Sequence, residues 1–245
     1  MKHSEYERTV LFTSIKIVWA VLVTMFYSVL AILSVLFDRK GTVYHWVGRT
    51  WAGKLLKIFR VKVHLEGLEN LEKGKTYVYV SNHASMFDIP AVIGNIPDEV
   101  RIVYKKELAY VPIWGWSLAV GHYISIDRFK AKDAMKSLDE AAVKIRNGAS
   151  VLLFAEGTRT RTGKLQPFKR GAFSLATRSG IPVVPLTINN SYNILPKGSL
   201  RIRPADISIV IDKPIPTAAV DGKAGEMKLM ETVRDVIASH YVDQG

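Results

Sequence analysis

Thr76-Tyr77-Val78-Tyr79-Val80-Ser81-Asn82-His83-Ala84-Ser85-Met86-Phe87-Asp88-Ile89-Pro90-Ala91-Val92-Ile93 contains a change of local structure. Its first five residues are β-branched or aromatic, the pattern of a buried strand. The segment from Ile89 has Pro near its front, which suits the first turn of a helix. His83 therefore falls where a strand hands over to a helix. In open α/β sheets ligands bind at such strand ends.

His83 and Asp88 are the candidate chemistry within this stretch. A neutral imidazole is the side chain best suited to take a proton near pH 7. A carboxylate on its far nitrogen would set the tautomer and stabilise the imidazolium that forms. On an unbroken helix, a five-residue step turns about 500° and leaves the two side chains about 140° apart. They can meet only if the chain bends between them, and a strand-to-helix loop supplies that bend. The alternative is that Asp88 caps the helix and His83 is an ordinary loop residue.

The chain has 245 residues, room for one α/β domain and an appendage. Its net charge of +12 implies an anionic partner: nucleic acid, an anionic bilayer or a phosphorylated substrate. The absence of cysteine excludes disulfides, thiolate nucleophiles and cysteine-ligated zinc. Ile17 to Phe37 is apolar without a charge, long enough as a helix (roughly 30 Å) to match a hydrocarbon core. It is long for a signal peptide, and no small-residue cleavage site follows before Asp38. From Tyr44 to Arg60, Trp46, Leu55, Leu56 and Phe59 alternate with Arg49, Lys54, Lys57 and Arg60, as in an amphipathic helix at a lipid interface. Residues 1–60 are thus expected to form a two-helix membrane-binding segment, either spanning once or folded as a hairpin in one leaflet. The short connection between the helices favours the hairpin. If the first helix spans, the basic flank after it puts the rest of the chain on the cytoplasmic side of the cell's inner membrane.

Residues 61–245 are expected to form a single α/β domain. Strands are predicted at Val61–Gly67, Glu99–Tyr104, His122–Arg128, Ser150–Phe154, Ile181–Ile188 and Asp206–Ile211, besides the opening one. Helices are predicted over Ala131–Asn147, Gly171–Arg178 and Gly225–His240. This alternation implies a mixed, largely parallel sheet flanked by helices. Pro182 and Pro185 assign their strand to an edge or an irregular position. His64 lies on the polar side of its strand and reads as a surface residue.

Polar groups recur at these strand ends: His83, Lys105, Arg128, and Glu156 to Arg159. Arginine suits bidentate phosphate recognition and lysine adds a point charge. Gly157 would permit a tight turn beside Arg159. Other motifs fail. Five residues separate Gly157 from Gly163 where a P-loop has four, and Leu165 follows Lys164. There is no Gly-x-Ser-x-Gly elbow, no histidine pair at metal-ligand spacing and no dinucleotide fingerprint. The basic residues are spread along the chain without a nucleic-acid motif, so no nucleic-acid partner is expected.

Taken together these blocks resemble the glycerolipid acyltransferase family, in particular the 1-acylglycerol-3-phosphate acyltransferases. Asn82-His83-x4-Asp88 matches the family's first block, and Tyr123 to Arg128 its second, with Tyr123 and Ser125 where Phe is frequent. Phe154-Ala155-Glu156-Gly157-Thr158-Arg159 matches the third and Ile181-Pro182-Val183-Val184-Pro185 the fourth. The four blocks occur in order, which is far more specific than any one of them.

The resemblance implies an activity. His83 would take the proton of the free 2-hydroxyl of lysophosphatidic acid, with Asp88 holding the imidazole. The alkoxide would attack the thioester of acyl-CoA or acyl carrier protein, co-substrates that leave no need for a cofactor or metal. Lys105, Arg128 and Arg159 would hold the phosphate. Asn82, Glu156, Gly157 and Thr158 would support the site, and Val183, Val184 and Pro185 would shape an acyl slot. Glycerol 3-phosphate or another lysolipid is an alternative acceptor. A membrane-anchored lipid-binding module without catalysis is the alternative class.

Overall fold

A seven-stranded sheet in the order β1-β7-β6-β2-β5-β3-β4 organises the molecule. The structure is a computed structural model describing residues 2–126, 142, 143, 145, 148, 150–199 and 201–244, with side chains from residue 13 onward. The strands are β1 (Val63–Glu66), β2 (Val78–Ser81), β3 (Val100–Lys105), β4 (Ile124–Ile126), β5 (Ser150–Phe154), β6 (Val183–Asn189) and β7 (Ile207–Ile211). The helices are α1 (Lys2–Val35), α2 (Thr42–Phe59), α3 (Asp88–Asn95), α4 (Trp114–Val120), α5 (Arg170–Ser179), α6 (Ser191–Ile194) and α7 (Gly222–His240). The helix predicted over Ala131–Asn147 lies mostly outside the described residues.

Strands β2 to β6 run in one direction, while β7 pairs antiparallel with β6 and parallel with β1. The sheet is therefore mixed and largely parallel, as the alternation of elements implied. Helices cover both faces, so β2, at its centre, is buried along its whole length. Tyr77 and Tyr79 pack with Phe87, Val92 and Leu56 on the α2–α3 side. Val78 and Val80 pack with Phe173, Val233 and Ile237 on the α5–α7 side. β1 lies at an edge with alternating burial, and His64 is exposed there, 3.2 Å from Asp206.

Of the two positions expected from Pro182 and Pro185, an edge or an irregular one, β6 takes the irregular one: it lies inside the sheet, between β7 and β2. The reason is a bulge. Val183 pairs with Ile215 and Leu186 with Ile211. Val184 and Pro185 therefore face a longer stretch, Asp212 to Pro214. Val183 donates its N–H to Ile215, and N–H groups alternate sides along a strand, so the donor Pro185 lacks would have pointed at this bulge. Proline is tolerated inside the sheet because no regular rung is lost.

The two N-terminal helices fold back on each other across a turn. Asp38 organises that turn by accepting the N–H groups of Gly41 and Tyr44, both at 2.9 Å. Gly41 has φ 87°, and a Cβ there would lie 2.7 Å from the His122 ring. Trp51 Nε1–H donates to Thr24 Oγ1 at 3.0 Å, tying the helices midway. α2 is amphipathic, but the expectation that Leu56 and Phe59 meet lipid is corrected: both are buried, and its inner face is part of the main core, while Trp46 stays exposed. Leu56 and Phe59 pack with the sheet, and Tyr44, Val47 and Ala52 pack with Ile93, Ile102 and Tyr104. Thr13–Val35 is long and apolar enough to cross a membrane, and little of it is buried. Ile17, Ala20, Tyr27 and Ala31 face the domain, while Val18, Trp19, Leu22 and Phe26 face outward. The outward stripe continues to Phe37, 90% exposed at the turn, and to Trp46 on α2.

Candidate active site

The chain leaves β2 at Ser81, loops through 82–87 and starts α3 at Asp88. This loop supplies the bend that the five-residue spacing required. His83 Nδ1 lies 2.6 Å from Asp88 Oδ2. The same oxygen accepts the N–H groups of Ala84 at 2.8 Å and Ser85 at 2.9 Å. A carboxylate accepts, so Nδ1 carries the hydrogen and Nε2 is left with a lone pair. The Asp88 side chain is fully buried, and that of His83 is 15% exposed. Asp88 is also in the first turn of α3, where the helix dipole favours negative charge. The imidazole stacks on Phe154, ring centroids 3.8 Å apart and planes 12° apart. Ring rotation is thus blocked from one side by Phe154 and pinned at one nitrogen by Asp88.

Asn82 works toward the sheet. Its Nδ2 donates to the Ile188 carbonyl and its Oδ1 accepts the Ile188 N–H, each at 2.8 Å. The side-chain amide imitates a peptide group and extends the pairing of β2 with β6 past the point where their backbones part.

β5 lies beside β2, so its C-terminal end meets the same loop. Glu156 Oε1 accepts the His83 backbone N–H at 2.7 Å. Oε2 accepts Gln166 Nε2 at 2.7 Å and the Gln166 N–H at 3.2 Å. Gln166 Nε2 also reaches the Thr158 carbonyl at 3.1 Å. One buried carboxylate therefore fastens the 157–166 loop to the loop of His83. Burial raises its pKa to about 7, against the lowering effect of its hydrogen bonds from His83 and Gln166, with the nearby Asp88 charge raising it further. Gly157 turns the chain at φ 71°, and the Thr160 N–H donates to the His83 carbonyl at 2.9 Å.

Beyond that turn stand cations. Lys105 is exposed at the end of β3. Lys197 donates from Nζ to Thr158 Oγ1 at 2.8 Å. The Lys197 ammonium has a lowered pKa, through desolvation and then through the charges of Arg161, Arg159 and Lys105. These four cations therefore share one region, Arg159 and Arg161 on the loop bonded to His83, Lys105 at the end of β3 and Lys197 after α6. Arg128 lies outside the described residues. Arg161, Lys197 and Gln166 were missed in the sequence. Arg161 had a visible signal, the alternation Thr158-Arg159-Thr160-Arg161. Lys197 and Gln166 had none, since both arrive by tertiary folding.

Val183, Val184 and Pro185, expected to shape an acyl slot, are buried within β6. Val183 and Val184 are fully buried and point to opposite faces of the sheet, into separate halves of the core. Neighbouring strand residues alternate, so these two cannot line one slot.

Residues 62–189 match the family model described as Acyltransferase. The chain belongs to the acyltransferase family. Among its relatives is the chloroplastic 1-acyl-sn-glycerol-3-phosphate acyltransferase BAT2 of Brassica napus, 35% identical over 183 residues, covering 74% of this chain and 53% of that protein. The 1-acyl-sn-glycerol-3-phosphate acyltransferase of Saccharomyces cerevisiae is 32% identical over 235 residues, covering 91% of this chain and 74% of that one. The chain spans about half the length of the plant relative. The crystal structure of PlsC, the 1-acyl-sn-glycerophosphate (LPA) acyltransferase of Thermotoga maritima, shares the fold. Its TM-score is 0.80 at 24% identity, with 96% of this chain and 95% of that one covered. The family model spans β1 to β6, so it includes the His83–Asp88 loop, Lys105 and the Glu156–Arg161 turn. It ends before Lys197.

Proposed function

We propose that this acyltransferase moves a fatty acyl group from acyl-CoA or acyl carrier protein to the 2-hydroxyl of 1-acyl-sn-glycerol 3-phosphate, producing phosphatidic acid. The observation that carries the reading is the His83–Asp88 pair, with Nε2 free of the pairing, on a loop bonded to a cluster of cations. His83 Nε2 takes the hydroxyl proton as the oxygen bonds to the thioester carbon. Asp88 stabilises the imidazolium without taking its proton. Collapse of the tetrahedral species breaks the C–S bond, and the proton passes from Nε2 to the departing sulfur. No acyl-enzyme forms, so both substrates must be bound before either product leaves. Lys105 and Arg159 hold the phosphomonoester, and Glu156 positions His83 through its backbone.

The relatives' names support lysophosphatidic acid as acceptor. The apolar outward stripe of α1 supports a bilayer as the place of work, because acceptor and product both reside there. In this reading α1 and α2 lie as a hairpin in the cytoplasmic leaflet of the inner membrane, and the basic surface faces anionic headgroups. The test is release of free thiol from acyl-CoA, and separately from acyl carrier protein, with and without lysophosphatidic acid. Release that requires lysophosphatidic acid and yields phosphatidic acid is the expected result. No acceptor-dependent release from either donor, or release driven equally by glycerol 3-phosphate, overturns the proposal.

A further inference from the structure

We infer that Lys197 is a phosphate-holding residue, delivered from outside the sequence blocks that mark the family, and that it favours a phosphomonoester headgroup over a phosphodiester. The inference rests on the proposed reaction for the identity of the acceptor, and on geometry for the site itself.

Lys197 sits in the turn Pro196-Lys197-Gly198-Ser199, after α6. The Ser199 N–H donates to the Pro196 carbonyl at 3.1 Å, and Gly198 has φ 90°. A positive φ at the third position is the signature of a type II turn, and it places Lys197 at the corner. Two bonds aim that corner at the site. Ser85 Oγ–H, from the loop between His83 and Asp88, donates to the Leu195 carbonyl at 3.1 Å. Lys197 Nζ donates to Thr158 Oγ1 at 2.8 Å. The turn is therefore fastened to the base on one side and to the Gly157–Arg159 turn on the other.

The company Lys197 keeps decides its role. The charges acting on it are those of Arg161, Arg159 and Lys105, all of its own sign. Among the described residues, no carboxylate pairs with any of the four. Like charges brought together repel, and proteins tolerate such clusters where an anion joins them. A dianionic phosphomonoester fits: it has three outer oxygens and a charge near −2 at neutral pH. An ammonium carries three donors, so Nζ can keep Thr158 and still reach a phosphate oxygen. A phosphodiester carries a single negative charge and one oxygen fewer for contact, so it gains less from a fourth cation.

The experiment compares the full-length protein in detergent micelles with Lys197→Ala and Lys197→Arg. Steady-state kinetics with lysophosphatidic acid and with lysophosphatidylglycerol are paired with titration of inorganic phosphate as a binding probe. Lys197→Ala is expected to raise the KM for lysophosphatidic acid about tenfold, to leave kcat within about twofold, and to weaken phosphate binding in step. The KM for lysophosphatidylglycerol should move less, so selectivity narrows. Lys197→Arg should restore most of the affinity, which a packing role would not require. An active wild type whose lysophosphatidic acid KM and phosphate affinity are unchanged in Lys197→Ala overturns the role of Lys197 and leaves the reaction standing. Weakened phosphate binding in a protein with no acceptor-dependent thiol release overturns the reaction and leaves the anion site standing.

Discussion

At His83, a small number of contacts determine what the imidazole can do. Asp88 takes the Nδ1 hydrogen, Phe154 stacks under the ring, and Glu156 holds the backbone N–H. Replacing His83 with Ala should lower the turnover rate about 10²–10⁴-fold while thermal stability stays close to wild type. Near-normal turnover would remove His83 from the role of base. Glu156 carries a separate, pH-dependent consequence. Its ordinary value of 4.5 rises to about 7 in the folded chain. Between these values the folded protein holds a proton that the unfolded chain has lost. The stabilising contribution is complete below about pH 4.5 and is lost as pH rises through about 7. Thermal melts at pH 5 and pH 8 should therefore show a larger fall for wild type than for Glu156→Gln. Equal falls would show that Glu156 is not a proton reservoir. His83 and Asp88 were visible as candidates once the strand and helix around them were recognised, but spacing left the helix-cap alternative open until the other blocks were set beside them. The bond that Glu156 makes to His83 joins residues 73 apart in sequence and had no local sign.

The elements show how the strand ends were made to converge. β2 lies between β5 and β6, so the loop leaving β2 is flanked by the segments leaving those two strands. Asn82 then stitches the departing chain to β6 with two buried hydrogen bonds. Asn82→Ala leaves the Ile188 N–H and carbonyl unpaired in the core. That should cost about 2–4 kcal/mol in a denaturant titration, with activity lost through displacement of His83. A loss below about 0.5 kcal/mol would mean that water or backbone motion replaces both bonds. Local pattern predicted the strands well, because alternation and β-branched runs reflect burial directly. It left β6 between an edge and an irregular place because proline was weighed without its partner chain. The bulge at Asp212–Pro214 that accommodates Pro185 belongs to a segment nearly thirty residues further on.

Across the whole molecule, the fold separates two kinds of surface. The strand ends present His83 and the cations, while α1 presents an apolar stripe left exposed among the described residues. Trp19 and Phe26 are 56% and 60% exposed on that stripe, so changing them removes no core contact. The double variant Trp19→Glu, Phe26→Glu should keep its fold by circular dichroism and float far less with vesicles of phosphatidylglycerol and phosphatidylethanolamine. Unchanged flotation would assign membrane attachment to another surface. α2 joins the two regions: it rests on α1 along one side and enters the core beside α3 on another. The N-terminal hairpin is thereby packed against the helix that begins at Asp88.

Period, composition and motif spacing were enough to establish an α/β sheet, an apolar leading helix and a histidine and an aspartate together at a strand's end. These properties are local: burial of a strand or a helix face imposes its rhythm on consecutive residues, and a loop's chemistry sits within a few positions. The seven-strand order, the interior place of a proline-bearing strand and the arrival of Gln166 and Lys197 at the site came from folding alone. They are contacts between distant segments, set by how the two faces of the sheet are covered. No rhythm within a single segment encodes which other segment will stand beside it.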